Sequence, residues 1–242
     1  MKTYALIAAY NEEKTVADVI NKTLKYVDKV IFVNDGSIDN TLEIVQKKFS
    51  KNKNVIIITY PENRGKGYAL ITGFKYFIKE KGNILVTLDA DKQHNPDEIP
   101  IVKLMVESGY SDIVIGSRYT KLKGFPRTRA LFNIFSTMVL LLSSGGFFTD
   151  VASGFRCYSN YALKSILPHL SLYGFGIELE TLQIAKEKEL KISAVPVSCT
   201  YKFGDKPNFN KLANGYFQFA MKYKTDMLKR IFKLFLIFND KK

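Results

Sequence analysis

The chain contains no tryptophan, two cysteines and two histidines among its 242 residues. The two cysteines, Cys157 and Cys199, are too few for a disulfide scaffold, and their spacing excludes a C-x-x-C zinc or redox pair. The histidines, His94 and His169, are too few for a histidine-rich metal centre, and we expect both to be structural. The composition is therefore compatible with a reducing compartment.

Long apolar runs are also missing. No stretch reaches the roughly 20 apolar residues that a spanning helix needs. The first residues carry no small-residue cleavage site, so we expect neither a signal peptide nor a transmembrane helix. Hydrophobic residues nevertheless make up 46% of the chain and charged residues 24%, which excludes a disordered protein and predicts a globular core.

Acidic residues are in deficit. The chain has 36 Lys and Arg against 23 Asp and Glu, a net charge of +13, which favours an anionic partner such as nucleic acid, anionic lipid or a phosphorylated substrate. The excess is concentrated at the end, because residues 201–242 hold ten Lys and Arg and only three Asp. No nucleic-acid-binding motif is present, so we expect no nucleic-acid partner.

Apolar runs alternate with helical patterns through the first 120 residues. Such alternation predicts an α/β fold, with a mostly parallel sheet covered by helices on both faces. The predicted strands are residues 4–9, 30–33, 55–59, 84–88 and 113–115, and the predicted helices are residues 13–26, 40–49, 68–81 and 96–107. In the second half we predict helices at 128–143, 178–190 and 216–238, a strand at 151–158 and an edge strand at 192–201 interrupted by Pro196.

Polar residues follow every predicted strand, and in a parallel sheet these positions meet at one edge where ligands bind. Asp89 and Asp91 follow the fourth strand. In an extended chain residues two apart point the same way, so both carboxylates and the amide of Gln93 are candidate ligands for Mg²⁺ or Mn²⁺. A solvated acidic turn is the alternative.

Two further strand ends suggest anion binding. Arg64-Gly65-Lys66-Gly67 combines cations with glycines ahead of a helix, which suits a phosphate or sugar loop, although a plain basic turn fits equally. Arg118 is a candidate for neutralising a diphosphate, and a surface salt bridge is the alternative. Asp35 is a candidate for binding a nucleoside, and capping of a helix is the alternative. The absence of G-x-x-x-x-G-K-[ST] and G-x-G-x-x-G excludes a P-loop NTPase and a dinucleotide dehydrogenase.

Taken in order, these motifs resemble those of the inverting family 2 glycosyltransferases with a GT-A fold. The D-x-x-S-G-F-R segment beginning at Asp150 narrows the resemblance to dolichol-phosphate mannosyltransferase and other polyprenyl-phosphate enzymes, over about residues 3–212. The segments that carry the resemblance are residues 9–13, 33–39, 63–67, 88–91, 116–119 and 150–156. The resemblance implies transfer of a sugar from a nucleotide-diphosphate sugar to a polyprenyl (dolichyl) phosphate, with inversion.

The resemblance also assigns roles to residues. Asp89, Asp91 and Gln93 would bind Mg²⁺ or Mn²⁺, and Asp89, Asp91 and Arg118 would be catalytic. The nucleotide-sugar site would comprise Ala8, Tyr10, Glu12, Val33, Asp35, Lys66, Asp89, Ala90, Asp91, Gln93, Arg118 and Lys211, the last in an N-K-L segment similar to the S-K-L of the family. The acceptor phosphate would meet Arg127, Arg129 and Arg156. Ala8 replaces the usual proline, and Lys202 or Lys206 stands in for an expected arginine.

The alternative reaction is transfer to a hydroxyl of a glycan or polysaccharide. That reaction needs a carboxylate base, which Glu178 or Glu180 would supply. A phosphate acceptor is already anionic and needs orienting cations instead. The sequence leaves the sugar and the nucleotide open.

The last segment predicts a location. Residues 1–212 form the predicted catalytic domain, and residues 213–242 form a basic amphipathic helix with apolar residues at helical spacing. We therefore expect a peripheral protein on the cytoplasmic face of the cell membrane, bound to anionic lipid, with a separate membrane partner as a further candidate. Packing of the helix on the sheet is the alternative.

Overall fold

The computed structural model of the protein describes residues 1–118, 127–200 and 209–239, without the side chains of residues 127–130, 132, 209, 211 and 233–239. The strands in this part of the chain are β1 (Thr3–Ala9), β2 (Lys29–Asp35), β3 (Val55–Tyr60), β4 (Ile84–Asp89), β5 (Ile113–Ser117), β6 (Arg156–Ser159) and β7 (Ile192–Pro196). They form one seven-stranded sheet in the order β3-β2-β1-β4-β6-β5-β7.

The sheet is mostly parallel, as predicted. β1 pairs in parallel with β2 and β4, and β5 pairs in parallel with β7. Of the seven described strands, only β6 runs antiparallel, between β4 and β5. The central strands are apolar on both faces because helices cover both, and β7, which contains Pro196, lies at an edge.

The predicted strand at 151–158 is wrong in its first half, because β6 begins only at Arg156. Asp150 adopts a left-handed φ of 52°, and the hydroxyl of Ser153 donates to the Gly116 carbonyl at 2.7 Å. The Gly154 carbonyl accepts from the hydroxyl of Thr87 at 2.7 Å. These side-chain bonds hold the segment before β6 in a turn at the edge of the sheet.

Helices cover the two faces of the sheet. They are α1 (Val16–Thr23), α2 (Thr41–Phe49), α3 (Lys66–Lys79), α4 (Ile99–Glu107), α5 (Arg127–Ser144), α6 (Asn160–Ile166), α7 (Ile177–Glu187), α8 (Phe209–Lys222) and α9 (Lys224–Asn239). α1, α2 and α4 pack on one face, and α3, α6 and α7 on the other. In α1 the apolar residues Val16, Val19 and Ile20 recur at helical spacing and are buried, each contributing about 1.5–3 kcal/mol.

The C-terminal region differs from the single helix predicted at 216–238. Two helices, α8 and α9, meet at Tyr223. Tyr216, Phe219 and Tyr223 are buried against α5 and α7, so α8 belongs to the core. The predicted boundary after residue 212 lies inside α8, and a separate amphipathic C-terminal unit stays a prediction. Among the described helices none is both long and apolar enough to cross a membrane.

Candidate active site

A cavity of about 920 Å³ opens at the carboxyl ends of β1, β2, β4 and β5. Parallel strands place their ends at one edge, so residues distant in sequence meet there. Its lining includes these residues of the predicted nucleotide-sugar site: Ala8, Tyr10, Glu12, Asp35, Lys66, Asp89, Ala90, Asp91, Gln93 and Arg118. Val33 does not line it, because its side chain is buried in the core beneath α3.

Other predicted positions fall outside the described part of the chain. Lys202 and Lys206 lie between the described ranges, and the side chains of Arg127, Arg129 and Lys211 are likewise not described. The backbone of Arg127 and Arg129 begins α5, and that of Lys211 lies in the first turn of α8. Their roles stay predictions.

Asp35 shapes the basic loop that follows β3. One carboxylate oxygen accepts from the Arg64 amide at 2.8 Å, and the other accepts from the Gly65 amide and the Asn63 side chain, both at 3.0 Å. The guanidinium of Arg64 packs on the ring of Tyr68, 5.0 Å from its centroid. Asp35 therefore fixes the backbone of this loop, and it also lines the cavity.

Lys66 is the first residue of α3, and its ammonium lies between two carboxylates. The Lys66 Nζ is 2.8 Å from Asp89 Oδ1 and 2.9 Å from Glu178 Oε1. Burial alone would lower the pKa of Lys66, but the charges of Asp89 and Glu178 outweigh burial and raise it. Lys66 is therefore a fixed positive charge in the cavity wall.

Asp89, the last residue of β4, and Asp91 just beyond it both line the cavity, but the extended geometry predicted for the pair is wrong. The chain turns after Asp89, and Lys92 has a left-handed φ of 67°. Asp91 Oδ1 accepts from the Gln93 amide at 2.9 Å, which closes the turn. Burial, followed by the nearby charge of Asp89, raises the pKa of Asp91 to about 6.

These carboxylates fit a divalent cation. The described ranges contain no cluster of three or more His, Cys, Asp or Glu that would form an all-protein metal cage. Mg²⁺ and Mn²⁺ are commonly held by one or two carboxylates together with substrate phosphates, and a cation bound here would offset both the burial and the Asp89 charge that raise the pKa of Asp91. Gly154 is required beside this pair, because a Cβ there would lie 2.6 Å from Asp89 Oδ2.

Arg118 follows β5 and forms a bidentate ion pair. Its Nε and Nη2 donate to the two oxygens of Asp150 at 2.8 and 2.6 Å, and its backbone amide donates to Asp150 at 2.8 Å. Asn133 of α5 donates to the same carboxylate at 2.7 Å. Burial would raise the pKa of Asp150, but these bonds and the Arg118 charge lower it. The pair fixes the orientation of Arg118 at the cavity wall.

The structure corrects the prediction that Arg156 contacts the acceptor phosphate. Arg156 is 1% exposed and does not line the cavity. Its guanidinium donates to the carbonyls of Val151, Ser153 and Glu178 at 2.7 to 2.9 Å. Its role is to tie the turn before β6 to α7.

The two candidate bases occupy different environments. Glu178 lines the cavity, and its Oε2 has no hydrogen-bond partner within the described residues, while Oε1 pairs with Lys66. Glu180 is fully buried and does not line the cavity. The carboxylate of Glu180 already accepts from the Ser171 and Leu172 amides. Glu180 is therefore unavailable as a base.

One whole wall of the cavity is made of residues that the sequence motifs did not indicate. It is formed by the loop before α7 and by the inner side of α8, with Asn133 and Ala152 nearby. The missed residues are Ser171, Leu172, Tyr173, Gly174, Phe175, Asn214, Gly215, Tyr216 and Gln218. The closely spaced Gly174 and Gly176 ahead of an acidic helix start were the available signal.

Known proteins are similar to this chain in sequence and in fold. The family model described as "Glycosyl transferase family 2" matches residues 4–167, and the chain belongs to this family. It is 35% identical over 214 residues to a UDP-N-acetylglucosamine–dolichyl-phosphate N-acetylglucosaminyltransferase of Methanococcus voltae, covering 82% of this chain and 85% of that protein. It is 32% identical to a dolichol-phosphate mannosyltransferase of Pyrococcus furiosus, covering 81% of this chain and 56% of that protein.

Solved structures share the fold at low sequence identity. Glucosyl-3-phosphoglycerate synthase of Mycobacterium tuberculosis, in complex with Mn²⁺ and UDP-glucose, superposes with a TM-score of 0.69 at 22% identity, covering 95% of this chain and 78% of that one. Mannosyl-3-phosphoglycerate synthase of Rubrobacter xylanophilus gives 0.71 at 15% identity, with coverages of 93% and 75%. The predicted GT-A fold and the predicted family are confirmed.

Proposed function

We propose that the protein transfers a sugar from a nucleoside-diphosphate sugar to a polyprenyl phosphate, with inversion at the anomeric carbon. The observation that carries this proposal is the cavity edge that Asp89 and Asp91 line together with two fixed cations, Lys66 and Arg118. The relatives named as dolichyl-phosphate and dolichol-phosphate transferases support the acceptor.

The donor diphosphate is assigned to this edge. Asp89, Asp91 and Gln93 would hold Mg²⁺ or Mn²⁺, which supplies Lewis-acid stabilisation to a departing diphosphate. Arg118, oriented by Asp150, adds a positive charge at the same wall. Asp35 keeps the basic loop and Lys66 in place, so the site needs little reorganisation when the donor binds.

The environments of Glu178 and Glu180 favour a phosphate over a hydroxyl as the nucleophile. A hydroxyl acceptor needs a base within hydrogen-bond reach. Glu180 is buried and already hydrogen-bonded to the wall of the fold, and one carboxylate oxygen of Glu178 is already engaged by the ammonium of Lys66. A phosphate acceptor already carries the negative charge and requires only orientation. The Oε2 of Glu178, which has no hydrogen-bond partner among the described residues, is suited to accept a hydrogen bond from a sugar hydroxyl.

The test is a transfer assay with matched acceptors. Radiolabelled UDP-N-acetylglucosamine, UDP-glucose and GDP-mannose are each incubated with the protein, MnCl₂ and a short polyprenyl phosphate. We expect one donor to give an organic-extractable product, and the corresponding polyprenol, which lacks the phosphate, to give none. Transfer to the polyprenol, or to an oligosaccharide but not to the lipid phosphate, would contradict the proposal.

We propose that the enzyme reaches its acceptor by docking on an anionic membrane through the α5–α9 surface. We define this surface by seven exposed apolar side chains: Leu131, Ile134, Phe135, Met138, Leu228, Ile231 and Phe232. α9 packs on α5, and Arg230 donates to the carbonyls of Ser143 and Ser144 at the end of α5. Exposed Lys224 and Lys229 add positive charge beside this surface, which suits anionic lipid.

Replacing Leu228, Ile231 and Phe232 together by serine should weaken membrane binding by about tenfold or more, because three apolar side chains no longer enter the interface. Binding is measured by co-sedimentation with phosphatidylcholine–phosphatidylglycerol vesicles, and wild-type binding should fall as salt is raised. The double variant I101S/L104S, which changes exposed residues of α4 on another face, is the control. Equal sedimentation of all three proteins would refute docking through this surface.

A further inference from the structure

Glu180 has a buried carboxylate that the proposed chemistry does not use. It lies in the first turn of α7 and is fully buried. Its oxygens accept from the Ser171 amide at 3.0 Å, the Leu172 amide at 2.9 Å and the Ser171 hydroxyl at 3.1 Å, and they pair with the ammonium of Lys222. A buried carboxylate is costly unless it is paired and hydrogen-bonded, and here it is both.

The partners of Glu180 begin the wall loop, which we define as residues 171–175. All five of its residues line the cavity. The carbonyl of Tyr173 accepts from the Tyr68 amide in the first turn of α3 at 3.2 Å. The ring of Phe175 lies 5.8 Å from the ammonium of Lys66. The wall loop therefore connects Glu180 to the basic loop and to the lysine that pairs with Asp89.

Lys222 extends this connection to α8. It is the last residue of α8, and its ammonium donates both to Glu180 and to the Ser171 hydroxyl, at 2.8 Å from the latter. Earlier in α8, a Cβ on Gly215 would lie 2.7 Å from the Gly176 nitrogen, so the two backbones are in close contact there. α8 is thus fixed to the region around the wall loop at two points, and between them it lines the cavity.

We propose that Glu180 and Lys222 are positioning residues, whose ion pair holds the wall loop and α8 against the cavity and so sets the affinity for the nucleotide part of the donor. Neither residue lines the cavity. Both act through the backbone of residues 171–175. This inference rests on the proposed function, because it takes the cavity as the donor site.

The first test is K222M, in which the Glu180 carboxylate keeps its three hydrogen bonds from residues 171 and 172 but loses its cation, so the folded state of the variant is checked by its thermal unfolding midpoint. Affinity for UDP and for GDP, each with MnCl₂, is measured by isothermal titration calorimetry. We expect K222M to bind the preferred nucleotide about tenfold more weakly, on the scale of one charge-assisted hydrogen bond. K222R should restore binding, and K186M, which changes an exposed lysine of α7, should leave it unchanged.

Kinetics and a double variant separate positioning from general damage. In the transfer assay, K222M should raise the donor KM by about the same tenfold factor while kcat stays within about twofold. E180Q should weaken binding similarly, and E180Q/K222M should weaken it no further than the stronger single variant, because both changes break one ion pair. Additive losses would overturn the coupling.

The failures of the two proposals are distinguishable. If the wild-type protein binds neither UDP nor GDP in the presence of Mn²⁺, the proposed function fails and this inference fails with it. If the wild type binds one of them and K222M binds it equally tightly, the positioning role is refuted while the proposed function stands. A loss in K222M that K222R does not restore would also contradict the ion pair as its cause.

Discussion

Asp91→Asn should lower the rate of sugar transfer by about 10²–10³-fold, the scale of one electrostatic contact to a developing charge. The change removes the carboxylate that is proposed to share a divalent cation with Asp89. It preserves the turn, because an asparagine oxygen can still accept from the Gln93 amide. Burial and the charge of Asp89 disfavour ionised Asp91, so the variant should be at least as stable as the wild type at pH 7.

The measurements are the initial transfer rate across a Mn²⁺ titration and the thermal unfolding midpoint. Asp97→Asn is the matched control, since Asp97 is exposed in the segment just before α4 and does not line the cavity. EDTA should inhibit the wild-type enzyme, and added Mn²⁺ should restore it. Undiminished transfer by D91N, or by the wild type in EDTA, would remove the metal from the mechanism.

Arg118→Met should destabilise the protein by about 3–5 kcal/mol, because it leaves the Asp150 carboxylate buried without its cation. The side chain of Asp150 is inaccessible to solvent and receives two of its hydrogen bonds from the Arg118 guanidinium. The double variant R118M/D150N removes both charges and should recover most of this loss. The free energy of unfolding is measured in urea for all three proteins.

The same double variant isolates the role of Arg118 in transfer. If Arg118 stabilises the departing diphosphate, R118M/D150N should be folded yet about 10²-fold slower than the wild type. D150N alone serves as the control for the altered carboxylate. A folded double variant with wild-type kcat/KM would show that Arg118 has a structural role only.

The sheet and the strand-end residues could be predicted because they depend on local pattern. Apolar runs separated by helical periodicity specify a parallel sheet, and a parallel sheet brings the residues after its strands to one edge. The proximity of Asp35, Asp89 and Arg118 could therefore be predicted without knowledge of how the side chains pack. The turn after β4 could not be predicted in the same way. The Asp91 carboxylate accepts a hydrogen bond from the backbone amide two residues further on, and the chain therefore leaves the extended conformation there.

The remaining features depend on contacts between distant segments. From the sequence, Arg156 was predicted to bind an anionic ligand. Nothing in the neighbouring sequence indicates that its guanidinium instead donates hydrogen bonds to three backbone carbonyls. The same holds for Glu180, whose cationic partner lies 42 residues further along the chain. The break between α8 and α9 at Tyr223 could not be predicted from hydrophobic periodicity either, because the apolar residues on the two sides of it have spacings that fit one continuous helix.

The reversed strand β6 has a consequence for how the protein folds. β5 and its neighbour β7 join the other described strands of the sheet only through β6, which has four residues and pairs with β4 on its other side. Until residues 156–159 are in place, β4 presents an unpaired edge and β5 has no connection to it through the sheet. Closing this gap requires contacts of long sequence separation, which form late and slowly. The carboxylates at the end of β4 and the arginine after β5 are therefore expected to reach their final separation in one late step of folding.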